Sequence, residues 1–513
     1  VAQATAIRLT GDDLRLEDVW AVAHEGATAE LTDEARERMR AARAVVERSA
    51  GETHHVYGVN TGFGRFVSRS IPPELAGELQ LRLLRSHACG VGEPYPDEIV
   101  RAAMLLRANT LAKGYSGARA GVVELLLDCL AAGVLPYVPS RGSVGASGDL
   151  APLAHLALPL VGEGRARVNG EWLPGADALA VVGLEPLSLA AKEGLSLVNG
   201  TQFMASFGAL GLVRARRLAS AADVACALTL EALQGSRAAF VPEVHRLRPL
   251  PGQRDAAANV LRLVEGSAIM EGHRWCDKVQ DAYSLRCAPQ VHGAARDLLA
   301  YVEDTVAVEL NAATDNPLVF VEEDMVVSNG NFHGQPLAFA LDALAIAAAE
   351  LANIAERRIE RLVNPSLSNG LPAFLASDGG LNSGFMIPQY VAASLVSENK
   401  VLCHPASVDS IPTSAGQEDH VSMGNAAGLQ AWQVLANAER ALAIELLAGA
   451  QAVELLAPLA PGPGTAAARA FVRSLSPRVR DDRPLADDIE AVAAAIRDGS
   501  LGTAVEGEVG KLA

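Results

Sequence analysis

From Leu337 to Leu362 the chain carries an apolar seam. Leu337, Leu341, Leu344, Ala348, Leu351, Ala355 and Leu362 recur at alternating spacings of four and three. That period belongs to an α-helix with one buried stripe. Pro336 stands in the first turn, where its missing N–H costs nothing, and Asn364-Pro365 ends the run. A helix expected over 336–363 needs long partners, so it belongs to a helical bundle or an oligomer core. Arg358 is the one break in the seam. Residues 291–311 and 424–457 show similar patterns, the latter ending at Pro458.

This texture dominates from about residue 205 onward, and composition agrees with it. Half of the 513 residues are apolar while aromatics make up only 4%, so Ala and Leu, the best helix formers, fill the core. Upstream the texture is mixed. Residues 1–50 read as helical, with Thr32 as N-cap and Gly51 as stop. Residues 54–70 and 136–152 are loops rich in glycine or serine, residues 74–135 are helical between breaks at Gly90, Gly92 and Pro94, and 165–190 hold a few short strands. The expected fold is mainly α, a long-helix bundle with a smaller N-terminal mixed region carrying these loops. The divisions along the chain are 1–204, 205–460 and a C-terminal helical segment, 461–513, after the joint Pro461-Gly462-Pro463-Gly464.

A formal charge of -17 repels phosphate backbones and anionic lipid, which argues against nucleic-acid and membrane partners. Asp342 and Glu350 interrupt the most apolar stretch, 337–355, arguing against a transmembrane span. Cys89, Cys129, Cys226, Cys276, Cys287 and Cys403 show no CxxC spacing, and no basic segment followed by an apolar run opens the chain. Both features fit reduced thiols in a cytoplasmic protein. Scattered His and Cys lack zinc-type spacing, so no metal is expected.

The segment with the most chemical content is GSVGASGDLAPLAHLAL, residues 142–158. In a tight turn the amide nitrogen of Gly148 can attack the carbonyl carbon of Ala146, because glycine has no Cβ to block the approach. Loss of one water closes a five-membered ring. Loss of the Ser147 hydroxyl as a second water leaves an exocyclic methylidene. The product, 4-methylidene-imidazol-5-one, is an electrophile that no side chain supplies. Spacing alone leaves an ordinary loop before a helix open as well. A serine-hydrolase elbow is excluded, since Asp149 stands where G-x-S-x-G requires glycine. P-loop, HExxH and complete GxGxxG motifs are absent.

This segment resembles the signature of the aromatic amino acid ammonia-lyase family. The resemblance extends through YGVNTGFG (57–64), LVNGTQ (197–202), QDAYSLRCAPQ (280–290), ELNAATDNPL (309–318), NGNFHGQP (329–336) and GQEDHVSMG (416–424), in the family's order. It implies the electrophile made from Ala146-Ser147-Gly148, a mostly helical fold, and a homotetramer whose active sites draw residues from more than one subunit. Within the family, Ser86-His87 and the glutamate of Gln417-Glu418-Asp419-His420 resemble the histidine-acting lyases. Phenylalanine and tyrosine lyases typically carry Phe-Leu and His-Leu at the first position. The implied reaction is deamination of L-histidine to trans-urocanate and ammonia, the first step of histidine degradation. An aromatic lyase or aminomutase of the family is the nearest rival, and a catalytically dead helical assembly protein the rival from another class.

The physics of recognition agrees. An imidazole offers polar ring atoms that His87 and Glu418 can bond, whereas a phenyl ring would leave both unpaired at about 1–3 kcal/mol each when buried. The resemblance gives the remaining residues expected roles. Tyr57 is the base that removes the β-proton, in a site expected to favour phenolate with help from positive charge such as Arg286, and its glycine-rich segment 57–64 could close as a lid. Arg286 anchors the substrate carboxylate. Tyr283, three residues earlier, assists the reaction or positions the electrophile. Asn199 bonds the electrophile's carbonyl oxygen. Gln280 and Asn316 are carboxylate or amine partners, and Phe332 packs on the substrate ring.

Overall fold

The computed structural model describes residues 6–50, 56–274 and 278–513. The chain is mainly α-helical, with short strands confined to its N-terminal half and to one hairpin near residue 320. The seam forms the helix Gln335–Val363, and all seven seam residues are fully buried. The two similar patterns form Ala288–Glu309 and Gly424–Leu455. A fourth long helix, Gln202–Ala232, completes the set.

The chain makes two compact units, each assembled from three stretches. The first comprises residues 1–210, 303–342 and 405–429; the second comprises 211–302, 343–404 and 430–513. Compactness thus divides the chain differently from sequence texture, which changes near 204 and 460. Helices of 29 to 32 residues extend about 45 Å, so one helix contributes residues to both units.

Every strand among the described residues lies in the first unit. Residues 1–50 are less helical than their pattern suggests. Strands Ile7–Leu9 and Ala29–Leu31 pair in parallel on either side of a short helical stretch before the helix Asp33–Ala50. Two three-residue strands show too little periodicity to stand out from flanking helix. Thr32 caps that helix, its Oγ1 accepting from the Ala35 amide at 3.2 Å, whereas the Gly51 stop lies outside the described residues. The strands expected in 165–190 are the hairpin Arg165–Val168 and Glu171–Pro174, turned by Asn169 and Gly170 with φ of 51° and 86°. That turn chemistry suits a two-residue hairpin loop. Cys89, Cys129, Cys226 and Cys287 are free thiols; Cys276 lies outside the described residues.

The second unit is a helical bundle with an apolar core that encloses a polar network. Arg358, the break in the seam, is fully buried and makes a two-pronged bond to the Glu445 carboxylate at 2.5 and 2.8 Å. Its Nη1 donates to His292 Nε2 at 3.2 Å, and His292 Nδ1 in turn reaches Asp223 at 2.7 Å. A buried guanidinium needs such a partner, because an unpaired charge in the core is strongly destabilising. Helix Gln335–Val363 is long and apolar enough to cross a membrane, yet 67% of its most apolar stretch is buried within the chain, as in a core helix.

Candidate functional site

The loop 142–149 leaves the strand Pro139–Arg141 and enters the helix Leu150–Ala157. It is bent by positive φ at Gly145 (76°), Ser147 (50°) and Gly148 (80°). Glycine is required at two points by close approach as well. A Cβ on Gly145 would stand 2.1 Å from Ser422 Oγ, and one on Gly148 would stand 2.0 Å from the Gly200 carbonyl oxygen. Backbone bonds fix the turn from both sides. Met423 N donates to Val144 O at 3.0 Å, Gly200 N to Ser147 O at 3.3 Å, and Asp149 N to Gly200 O at 2.7 Å. Ser147 itself is half-buried, so its side chain is accessible.

Asn199 ends the helix Glu193–Val198, is 2% exposed and carries an Oδ1 with no hydrogen-bond partner. Asp149, noticed in the sequence only for spoiling a hydrolase motif, is fully buried beside the loop. It accepts from the Met204 amide at 3.0 Å, Ser143 Oγ at 3.3 Å and Asn425 Nδ2 at 3.4 Å. Burial pushes its carboxyl up to about 6 against those bonds. Tyr95 OH donates to the same Asn425 at 2.8 Å.

Three further residues converge in the first unit. Tyr57 is half-buried, and its hydroxyl accepts from the Gly64 amide at 3.3 Å. His87 is the last residue of the helix Ala76–His87. Its Nδ1 lies 3.0 Å from both the Leu83 carbonyl oxygen and the Ser86 hydroxyl. Glu418 is held by Thr413, whose Oγ1 donates to Oε2 at 2.6 Å. The charge of Glu418 acts on both Tyr57 and His87.

The surroundings of Tyr57 within one chain act on its phenol in both directions. Burial raises its pKa first and Glu418 raises it further, while the Gly64 bond works the other way. Phenol, not phenolate, is favoured within the chain, because desolvation penalises the anion and the nearest carboxylate repels it. His87 is likewise kept neutral, its pKa lowered by burial against the Leu83 bond and Glu418.

Asn316 and Phe332 also belong to the first unit. Asn316 Oδ1 accepts from the Asn329 amide at 2.8 Å, a bond that ties down the loop leading to the half-buried Phe332. Gln280, Tyr283 and Arg286 belong to the second unit. Gln280 is exposed and Tyr283 is 71% exposed. Tyr283 and Arg286 share a face of one helical turn, with the guanidinium 4.7 Å above the ring and its Nε donating to Asp281 O at 2.9 Å. The structure adds Ser143, Asp149, Gly200 and Thr413 to the residues singled out from sequence. Ser143, Asp149 and Gly200 lie inside the quoted segments, and Thr413 stands three residues before one. Among the described residues no group of three His, Cys, Asp or Glu side chains is arranged to hold a metal ion.

Comparison with known proteins follows this geometry. The pattern of the aromatic amino acid lyase family matches residues 14–474. The chain belongs to that family. Among its relatives, the histidine ammonia-lyase of Gloeobacter violaceus is 57% identical over 504 residues, covering 98% of each chain. That of Myxococcus xanthus is 54% identical over 499 residues, covering 97% of this chain and 98% of the relative. The solved histidine ammonia-lyase of Trypanosoma cruzi superposes with a TM-score of 0.91 at 48% identity, covering 98% of this chain and 96% of that one. A tyrosine aminomutase of Streptomyces globisporus reaches 0.94 at 40% identity, covering 99% and 100%. Aromatic amino acid lyases and aminomutases therefore share this backbone, and substrate choice rests on side chains.

Proposed function

We propose that this family member is a carbon–nitrogen lyase that removes ammonia from L-histidine, giving trans-urocanate. The observation that carries the reading is the convergence of Glu418 on His87 and Tyr57 in a chain whose full-length relatives above 50% identity are histidine ammonia-lyases. The His87 ring and the Glu418 carboxylate are polar partners for an imidazole, which offers one N–H and one acceptor nitrogen when neutral and two N–H groups when protonated. A phenyl ring offers neither.

The residues at 146–148 fit the internally made electrophile. The turn is already bent at Ser147 and Gly148, the third position tolerates no side chain, and Asn199 is buried beside the turn. When formed, the ring supplies an electron-poor carbon that turns the substrate's α-amine into a leaving group. Gly200 N–H, and Asn199 through its amide, would hold the Ser147 carbonyl oxygen.

Tyr57 Oη takes the β-proton. The electrons of that C–H bond form the double bond as the C–N bond breaks, and nitrogen leaves as ammonia. Because the chain favours the neutral phenol, Tyr57 acts as a base only once positive charge joins it. Arg286 is that charge as well as the carboxylate anchor, with Tyr283 and Gln280 beside it. Asn316 and Phe332 complete the substrate's surroundings. We place this second group in the site of another copy, within a homotetramer. The exposure of Tyr283 supports this, as do large apolar side chains left exposed on long helices: Phe339 and Ile346 on one, Ile387 and Tyr390 on another. A cytoplasmic setting suits the free thiols and needs neither nucleic acid nor membrane.

The test is urocanate absorbance on incubation with L-histidine, alongside intact mass and light scattering. Active protein should weigh two waters less than its encoded mass and scatter as a tetramer. Ser147→Ala should fold, keep its full mass and lose activity. Preference for phenylalanine or tyrosine would move the chain to another branch of the family. An unmodified mass in active protein would remove the electrophile, and an active monomer would remove the shared site.

A further inference from the structure

Arg107, on the helix Asp97–Ala112, is fully buried behind the loop. Its Nη1 donates to the Asn199 carbonyl oxygen at 2.7 Å and to Gln202 Oε1 at 2.9 Å. The Asn199 carbonyl and the Gly200 N–H are two ends of one peptide group, and that N–H donates to the Ser147 carbonyl oxygen at 3.3 Å. A cation therefore binds one end of a planar peptide whose other end binds the electrophile loop. Hydrogen bonds in such a chain polarise and strengthen one another.

The charge is not matched nearby. Nε and Nη2 of Arg107 have no hydrogen-bond partner among the described residues. The carboxylate that acts on it, Asp315, is already bonded to the fully buried Lys192 at 2.7 Å. Arg107 and Lys192 therefore share the single Asp315 carboxylate. Burial lowers Arg107 only to about 10, so it stays charged at neutral pH. A guanidinium buried with unmatched donors is a cost to folding, one that a neutral side chain would avoid.

We propose that Arg107 is a positioning residue for the electrophile, withdrawing electron density from the Ser147 carbonyl through the Asn199–Gly200 peptide. This rests on the electrophile reading above. Withdrawal at that carbonyl acts twice. It acidifies the Ser147 Cα–H, whose proton leaves with the Cβ hydroxyl as the second water while the C–H electrons form the methylidene bond. It also leaves the methylidene carbon poorer in electrons.

Gln202→Glu tests this with almost no change of shape: it places a carboxylate where Oε1 now accepts from Arg107, and the Thr110 and Thr314 hydroxyls, which now accept from Nε2 at 3.1 Å, must turn to donate to it. The readout is the second-order rate of capture of the matured electrophile by cyanide, followed by intact mass, with kcat for L-histidine and Tm measured in parallel. Capture and kcat should each fall about tenfold, while Tm holds or rises because the charge is now matched. A purely structural role predicts the raised Tm with capture unchanged, and that result overturns the proposal. Arg107→Gln should lose reactivity similarly, or stop after one water, and Arg107→Lys should recover part of it. Should Gln202→Glu not fold, these two carry the comparison, and a fully matured Arg107→Gln with wild-type capture overturns the proposal. Wild-type protein that has lost no water overturns this proposal and the electrophile together, whereas the other negative results overturn this one alone.

Discussion

Gly148 and Gly200 lie so close that a Cβ on the first would stand 2.0 Å from the carbonyl oxygen of the second. Real side chains do not tolerate that distance, and Gly148 also has a φ of 80°. Gly148→Ala must therefore push the Gly200 strand away or unbend the turn. Overpacking and left-handed backbone together cost about 2–4 kcal/mol. The variant should melt lower than wild type and fail to lose two waters, with activity down by more than about a hundredfold. Intact mass and Tm check this. A normally matured, active Gly148→Ala would show that the turn is not the reacting conformation.

Specificity should follow the unpaired-group argument. His87→Leu combined with Ser86→Phe removes the imidazole partner and should lower kcat/KM for L-histidine by up to roughly a hundredfold, corresponding to a buried hydrogen bond of about 1–3 kcal/mol. Discrimination against L-phenylalanine should fall in the same variant. Glu418→Gln keeps the size and removes the charge, and turnover of histidine should fall if the carboxylate is needed. Steady-state kinetics with both substrates decide, and an unchanged histidine preference in both variants would contradict the role given to this pair.

Asp149 makes stability depend on pH in an unusual direction. Its carboxyl is raised by burial to about 6, above its ordinary value near 4, so the folded chain holds a proton that the unfolded chain has released between those two values. The folded state then binds more protons than the unfolded state, and this contribution to stability rises as pH falls from about 6 towards 4. Relative to Asp149→Asn, which does not titrate, the wild type should gain about 1–3 kcal/mol between pH 7 and pH 4.5. Urea unfolding of the two proteins at both pH values tests this. A constant difference would mean that Asp149 is ionised throughout.

Arg358→Leu would complete the apolar seam and should still be harmful. It leaves Glu445 buried with one remaining side-chain donor, the Thr229 hydroxyl at 2.7 Å, and should cost about 3–5 kcal/mol. Adding Glu445→Leu should recover most of that loss, since replacing both members of a buried pair by apolar groups is often neutral. Denaturant midpoints of the single and double variants measure it. Equal losses in both would place the cost in the His292–Asp223 contact rather than in the bare carboxylate.

The amino-acid sequence by itself determined the features that repeat over short distances. The four-three spacing of leucines specified the helix Gln335–Val363, the Thr32 hydroxyl its own helix start, and Asn169-Gly170 its hairpin, because each depends on residues only a few positions apart. Ala146-Ser147-Gly148 was legible for the same reason, and so was the family, through ordered segments. Only the tertiary structure decided what those residues meet. Arg358 looked like an error in a seam until Glu445, 87 positions away, was placed against it. Glu418 acts on Tyr57 and His87 across more than 300 positions, and burial raises the Tyr57 pKa alongside it. Arg107 gave no signal at all in sequence, since its effect passes through a peptide group of a distant segment. Periodicity is local geometry, whereas desolvation and charge pairing depend on which segments pack together, and no spacing along the chain encodes that.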